Sequence, residues 1–292
     1  MLYVLKKRFL EVNKLADFKE IAYERARNFR DKYGLGNYCA NQLVDVLDLF
    51  GKDERINIEL IRVPFANLKL AGFIGYKDGT FVIVTNTNQR LGLERFTIAH
   101  EIYHLLQNRV YIKENSLIEE MVTSESDKNQ NIHEIMADSF AAELLIAEKS
   151  LKDNIEELTK NQDQDIDPSL IIQLQHKYGV DYKAITKRLR EIGVIDDLQK
   201  NKLEEVLKVE GKLQDLTKKL GRSNDLNIPS ENNYLLQKNL EVIKSNFESG
   251  HTTYDDLVRI FGYLGCSPEK FGYEDKIELT EAAKDFIKSL ED

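Results

Sequence analysis

The chain has 292 residues, of which 41 are basic and 50 are acidic, so its formal net charge is −9. This length can bury a substantial core in one or two domains, and the acidic balance argues against a protein that coats nucleic acid or anionic membrane with its whole surface. The two cysteines, Cys39 and Cys266, indicate neither a disulfide framework nor a cysteine-based zinc cluster.

The beginning of the sequence bears on location. In MLYVLKKRFLEVNK a short apolar run precedes the charged residues, which is the reverse of the order in a signal peptide. No window approaches the roughly 18 apolar residues that a membrane span needs. We therefore expect a cytoplasmic protein with no membrane partner.

The first predicted elements are two helices within residues 17–50, where apolar and charged residues alternate at spacings of three and four. Three short runs rich in β-branched and aromatic residues follow, namely INIELIRVPF, LAGFIGY and TFVIVTN. The last two are separated by KDG, which predicts a hairpin turn. The sequence therefore predicts a small three-stranded sheet after the two helices.

Helices are predicted for most of the remaining chain. QRLGLERFTIAHEIYHLLQNR is predicted to be helical with Asn86 or Asn88 as N-cap, and the polar segment 123–131 is predicted to be an exposed loop. IHEIMADSFAAELLIAEK predicts another helix, LIIQLQHKYGVDYKAITKRLREIGV predicts two helices joined by a tight turn, and the region from about residue 200 is helix-rich. Helices, a small sheet and then helices indicate an α+β fold.

A candidate metal site lies in IAHEIYHLL, where His100 and His104 flank Glu101 and two further residues. Successive residues of a helix turn by about 100°, so positions four apart project to the same side and both histidines can reach one ion. Neutral imidazoles and a nearby carboxylate base are what hydrolytic zinc sites use. The alternative is a buried helix that merely contains histidines, but the His-Glu-x-x-His pattern arises by chance on the order of once per hundred chains of this size.

A catalytic zinc normally has three protein ligands, and the third candidate lies in HEIMADSFAAELL. Glu134 and His133 compete for this role, because neighbours on a helix diverge by about 100° and only one can face the metal. We favour Glu134. Asp138, one turn further along, either accepts a hydrogen bond from a ligand imidazole or is an ordinary surface aspartate.

The strings RFTIAHEIYH and EIMADSFAAELL resemble the ImmA/IrrE family of zinc metallopeptidases, whose pattern is an R-F-T-x-A-H-E-x-x-H helix followed by an E-x-x-A-x-x-F-A-A-x-L-L helix. The resemblance covers about residues 17–195. It implies a zincin-like metallopeptidase domain in which His100, His104 and Glu134 bind Zn²⁺ and Glu101 is the catalytic general base.

The chain departs from the family pattern at two places. Ile146 and Ala147 stand where a proline commonly follows the Leu-Leu pair, so we expect the end of that helix to differ from the family pattern. Tyr103 stands where many members have glycine, but this position faces away from the metal by helix geometry. We expect Tyr103 to pack rather than to act in catalysis.

Residues 170–194 resemble the helix-turn-helix-like hairpin that follows the peptidase domain in this family, and their net charge of +3 makes a DNA contact conceivable. The basic residues are Lys177, Lys183, Lys187, Arg188 and Arg190. A competing interpretation is that one apolar face docks on the peptidase core; its residues are Leu170, Ile171, Leu174, Ile185 and Leu189.

These observations predict a metallopeptidase domain at 1–160, a helical hairpin packed on it at 161–200 and a helical C-terminal domain at 201–292. The predicted function is a zinc-dependent endopeptidase. The resemblance implies a protein substrate such as a helix-turn-helix repressor in a mobile-element, phage-defence, toxin–antitoxin or stress-response switch. The alternative is a regulatory DNA- or protein-binding protein with a structural zinc and no peptidase activity.

Overall fold

A computed structural model describes residues 2–65, 67–115, 119–122, 132–161, 166–230, 237–263 and 267–274. The chain divides into two compact units, Met1–Tyr234 and Leu235–Asp292. The predicted domain boundaries after residues 160 and 200 stay a prediction.

Helices and one sheet make up the described part of the first unit. The α-helices are α1 (Leu2–Lys32), α2 (Leu43–Glu54), α3 (Leu91–Gln107), α4 (Arg109–Asn115), α5 (Ile132–Leu145), α6 (Glu148–Asn161), α7 (Pro168–Tyr178), α8 (Tyr182–Glu191), α9 (Asp197–Glu204) and α10 (Lys212–Lys219). The strands are β1 (Asn57–Val63), β2 (Leu70–Lys77), β3 (Thr80–Asn86) and β4 (Glu119–Val122). Short 3-10 helices lie at Ala40–Gln42, Glu205–Lys208 and Asp225–Asn227.

The sheet has the strand order β1-β3-β2-β4. Strand β1 is parallel to β3, while β2 is antiparallel to both β3 and β4. Strands β2 and β3 form the predicted hairpin, and both turn residues, Asp78 and Gly79, have positive φ angles of 48° and 84°. The α+β prediction is confirmed, and β4 adds a strand to the three predicted. This four-residue segment shows too short a pattern to predict a strand, and it pairs along the edge of β2.

Helix α1 is longer than the predicted first helix, because it begins at Leu2 rather than near residue 17. Its C-terminal half packs along α5. Ala22 and Ala26 are fully buried, and Phe29 contacts Phe140 of α5 with ring centroids 5.9 Å apart. The small alanine side chains allow the two helices to approach closely.

The predicted N-cap of the third helix is wrong. Helix α3 begins after Arg90, which makes no side-chain cap hydrogen bond. Asn86 instead remains in β3, where its Oδ1 accepts from the backbone N–H groups of Phe65 and Asn88 at 3.0 Å. Its Nδ2 donates to the carbonyl groups of Asn67 and Leu70 at 3.2 and 2.8 Å. Asn86 therefore secures the connection between β1 and β2, a contact between segments distant in sequence.

The predicted helical hairpin is present as α7 and α8. Asp167 caps α7 by accepting from the N–H of Leu170, and Pro168 occupies the first turn. Gly179 ends α7 in the left-handed conformation with φ 69°, and Asp181 caps α8. The apolar face predicted to dock is completely buried; its residues are Leu170, Ile171, Leu174, Ile185 and Leu189.

The second unit is helical in its described part, with α11 (Gln237–Glu248), α12 (Tyr254–Tyr263) and a 3-10 helix at Pro268–Phe271. Leu257 and Phe261 are fully buried; Ile243, Phe247, Tyr254 and Tyr273 pack against them. Within the described parts of both units, no helix combines the length and apolar character needed to cross a membrane.

Candidate metal centre

Helix α3 lies between the sheet and helix α5. At Gly72 of β2 the approach is so close that a Cβ atom would lie 2.6 Å from the Cγ2 atom of Thr97. Farther along α3, His100, Glu101 and His104 are buried, with 1%, 0% and 0% of their surface exposed. The fold thus removes all three polar side chains of the His-Glu-x-x-His pattern from bulk water.

Three donor atoms converge between α3 and α5. The Nε2 atoms of His100 and His104 are 3.1 Å apart, and they lie 3.2 and 3.3 Å from the two carboxylate oxygens of Glu134. Zinc binds nitrogen and oxygen at about 2.0–2.2 Å, so neighbouring ligands of a tetrahedral ion lie roughly 3.3 Å apart. The chemistry and the spacing of these donors therefore fit zinc.

The structure distinguishes Glu134 from its neighbour His133. Glu134 in the first turn of α5 lies against both histidines, whereas His133 is exposed. The sequence favoured Glu134 for this position, and the structure brings Glu134 together with His100 and His104. The roles assigned to these residues as metal ligands stay a prediction.

The other ring nitrogen of each histidine also has a neighbour. Asp138 Oδ1 lies 3.1 Å from Nδ1 of His100, so Asp138 is not an ordinary surface aspartate. Its Oδ2 lies 3.5 Å from Nζ of Lys187 on α8. Asn108 Nδ2 lies 3.0 Å from Nδ1 of His104. The sequence analysis did not identify Asn108, although its position four residues after His104, at the end of the same helix, could have indicated it.

The electrostatic environment of the cluster favours a carboxylate beside a cation. Burial by itself raises the pKa of Glu134, but hydrogen bonds and charge interactions with His100 and His104 hold that pKa well below its usual range. Burial lowers the pKa of His100, but Asp138, Glu134 and the negative charge of Glu101 raise it overall. An ionised carboxylate next to two imidazoles is a donor set suited to a metal cation.

Tyr103 lies in the packed interior, as its position on the helix predicted. It is 1% exposed, its hydroxyl accepts from Arg25 at 3.3 Å and donates to Sδ of Met136 at 3.3 Å, and its ring contacts Phe140. Its position therefore indicates packing rather than chemistry.

The first turn of α3 is anchored by a second buried carboxylate, Glu94. Arg62 of β1 donates to both of its oxygens at 2.6 and 2.7 Å, and Thr85 and Ser230 also donate to it. Burial raises the pKa of Glu94, but these partners lower it overall. No local pattern indicates this cluster, because its members come from four separate segments.

The hairpin is tied to the metal-centre helices by two arginines. Arg95 of α3 donates to the carbonyl group of Gly179 at 3.0 Å. Arg188 of α8 is 1% exposed and contacts Glu143 of α5, Glu191 at 2.8 Å and the carbonyl group of Ile146 at 3.2 Å. Helix α5 ends at Leu145 without the proline common in the family.

These contacts also bear on the basic residues of the hairpin. Arg188 is buried, Lys187 contacts Asp138, and Arg190 pairs with Asp197 at 2.8 Å. The DNA contact stays a prediction, and Arg188 would not belong to such a surface.

Comparison with known proteins agrees with the geometry. A family model, Peptidase_M78, described as the IrrE N-terminal-like domain, matches residues 53–190. No curated protein matches the chain. The matched range contains the sheet, α3, α5 and almost all of the hairpin. Residues 53–190 therefore form an IrrE N-terminal-like domain, and the chain carries the metallopeptidase-like domain of the ImmA/IrrE family.

Proposed function

We propose that this chain is a zinc-dependent endopeptidase. The observation that carries the proposal is the convergence of two imidazole nitrogens and one carboxylate at 3.1–3.3 Å, with Glu101 on the same helix turn. The family match supports a peptidase, because the ImmA/IrrE domain is metallopeptidase-like.

The proposed mechanism assigns a task to each side chain. Zinc, when bound, supplies Lewis-acid chemistry that acidifies water and polarises a carbonyl group. His100, His104 and Glu134 would hold the ion, and Asp138 would orient His100. Glu101 would accept a proton from the water that attacks the peptide carbonyl and then give that proton to the leaving amine.

The proposed substrate is a regulatory protein such as a helix-turn-helix repressor. Support for this choice is the family likeness, which also suggests a mobile-element, phage-defence, toxin–antitoxin or stress-response switch and a cytoplasmic location. Segment 123–131, predicted from its sequence to be an exposed loop, lies outside the described residues. That this loop covers the cleft and limits the substrates is a hypothesis, and unchanged cleavage after its deletion would contradict it.

The alternative function is a regulatory binding protein whose zinc only stabilises the fold. The deep burial of His100 and His104 is compatible with this second candidate, but structural zinc sites normally have four protein ligands, and the described residues bring three together. The two functions differ in their need for Glu101, since a structural site requires no proton transfer.

The test compares the wild type with His104→Ala, Glu101→Gln and the control His133→Ala, which changes an exposed histidine beside the centre. Zinc content is measured by elemental analysis, and cleavage of a repressor encoded beside the gene is followed on a gel. We expect about one zinc per chain in all but His104→Ala. Cleavage should fall about 10²–10⁴-fold in Glu101→Gln, because the proton acceptor is lost.

Two outcomes would contradict the proposal. Cleavage by Glu101→Gln at the rate of the wild type would remove Glu101 from the mechanism. Full zinc content with an unchanged biological effect in Glu101→Gln would favour the binding protein.

A further inference from the structure

We infer that Asn108 is a positioning residue for zinc, acting through His104 by accepting a hydrogen bond from its Nδ1–H group. The inference rests on the proposed function. It concerns which of the two imidazole nitrogens carries the hydrogen, and therefore whether His104 presents a lone pair to the ion.

The first step is the geometry of the histidine. His104 Nε2 is the nitrogen that lies 3.1 Å from Nε2 of His100 and 3.3 Å from Glu134. A neutral imidazole binds a metal through the nitrogen that lacks a hydrogen, so the hydrogen must be on Nδ1. A hydrogen on Nδ1 in the interior needs an acceptor, because an unmade hydrogen bond of a buried donor costs about 1–3 kcal/mol.

The second step is the position of Asn108. Its side-chain amide lies 3.0 Å from Nδ1 of His104, and the residue is 8% exposed. Its own backbone is fixed on both sides, because its N–H donates to the His104 carbonyl group at 2.8 Å and its carbonyl group accepts from Ile112 at 2.9 Å. The amide is therefore held at the junction of α3 and α4, next to the ring nitrogen of His104 that faces away from Glu134.

The third step is the chemistry of the amide. The nitrogen Nδ2 faces Nδ1, which matches the tautomer with hydrogen on Nε2, where Glu134 can accept it. A half turn of the amide exchanges its nitrogen and oxygen. Oδ1 then accepts from Nδ1–H, and Nε2 presents its lone pair to zinc. Asparagine can thus serve both tautomers of His104, whereas Asp138 beside His100 offers only acceptors when ionised.

The test measures zinc affinity by competition with a chromophoric chelator for the full chain. The variants are Asn108→Leu, Asn108→Asp and the control Gln107→Leu, which removes an exposed amide from the adjacent position. We expect Asn108→Leu to weaken zinc binding about 10–100-fold, because Nδ1–H loses its acceptor. Asn108→Asp should bind zinc at least as tightly as the wild type, and Gln107→Leu should match the wild type.

Asn108→Asp separates positioning from a structural role. Asn108 ends α3 and directly precedes α4, so the helix-dipole effects of a carboxylate at this position oppose each other. A role in which Nδ2 only donates to Nδ1 is lost in both variants, because neither leucine nor an ionised aspartate has a donor, and it predicts weaker binding by both. Weaker binding by Asn108→Asp than by the wild type would therefore overturn the inference, even if Asn108→Leu does not fold. Unchanged affinity of folded Asn108→Leu would overturn it as well. A wild type that binds no zinc would overturn the proposed function together with this inference, so the two failures are distinguishable.

Discussion

Helix α5 carries a largely buried glutamate near each end, and the two have different surroundings. Glu134 in the first turn faces the imidazoles of His100 and His104. Glu143 in the last turn faces the guanidinium group of Arg188. Their side chains are 12% and 5% exposed, so burial does not distinguish them.

The difference lies in the source of the positive charge. A guanidinium group is charged at every relevant pH, so Arg188 balances Glu143 from within the chain. An imidazole, unlike a guanidinium group, can lose its proton to an incoming metal ion and then offer a lone pair. The donors around Glu134 therefore suit a bound metal cation, and a buried carboxylate indicates a metal centre only when its partners are also metal donors.

The largest expected effect is on the Glu143 end of α5. Arg188→Met should lower the free energy of unfolding by about 3–5 kcal/mol, because Glu143 is left as a buried charge without its guanidinium partner. Urea denaturation measures this loss. The control is Arg190→Met, which breaks an exposed pair with Asp197 and should cost less than about 1 kcal/mol.

The same experiment includes the double variant Arg188→Met, Glu143→Leu. Replacing a buried ion pair by apolar residues of similar volume is often neutral, so the double variant should recover most of the stability. Equal losses in Arg188→Met and Arg190→Met would show that Arg188 does not brace the hairpin.

The next effect concerns the Glu134 end. Glu134→Ala should weaken zinc binding at least about 100-fold, because structural zinc sites gain about 10–16 kcal/mol from four ligands and one ligand contributes on the order of 3 kcal/mol. Chelator competition measures the affinity, and His133→Ala is the matched control. A larger loss in His133→Ala would reverse the assignment of the third ligand.

Acid should lower the stability of the contacts around Arg188, where Glu191 also pairs with the guanidinium group. Burial raises the pKa of Glu191, but Lys19 and Arg188 lower it from 4.5 to about 2. The stability that this carboxylate provides is present above its unfolded pKa and is lost as the pH falls from about 4.5 towards 2. At about 1.4 kcal/mol per pKa unit, the wild type should lose roughly 2 kcal/mol from this group by pH 3. The difference in the free energy of unfolding between the wild type and Glu191→Gln, measured by urea denaturation, should shrink over that pH interval. A constant difference would contradict this prediction.

The smallest effect is expected at Asp138. Asp138→Asn should weaken zinc binding about 10-fold, the lower end of the range for residues that orient metal ligands, because the amide oxygen can still accept from His100. Lys187→Met, which removes the exposed partner of Asp138, should change the affinity less. The affinities of both variants are measured beside Glu134→Ala. A loss in Lys187→Met as large as in Asp138→Asn would show that α8 helps to set the orientation of Asp138.

The regular elements near the centre could be predicted from local patterns. The hairpin turn at Asp78 and Gly79 follows from residues that tolerate positive φ, and α7 and α8 follow from their caps and from Gly179. The start of α1 was predicted too late, and the N-cap of α3 was assigned to the wrong residues. The second error arose because the side chain of Asn86, which makes long-range contacts, looks like a local cap signal in the sequence.

The sequence by itself determined the α+β class and the resemblance of residues 53–190 to the IrrE N-terminal-like domain, and it placed His100, Glu101 and His104 on adjacent faces of one helix, because these properties follow from local residue patterns. The tertiary structure decided that Glu134 rather than His133 faces the histidines and that Asp138 and Asn108 lie behind them. It also decided that Arg188 is buried rather than exposed in a basic surface. The physical reason is that the partner of a buried polar group is chosen by the packing of segments distant in sequence, which a local pattern does not encode.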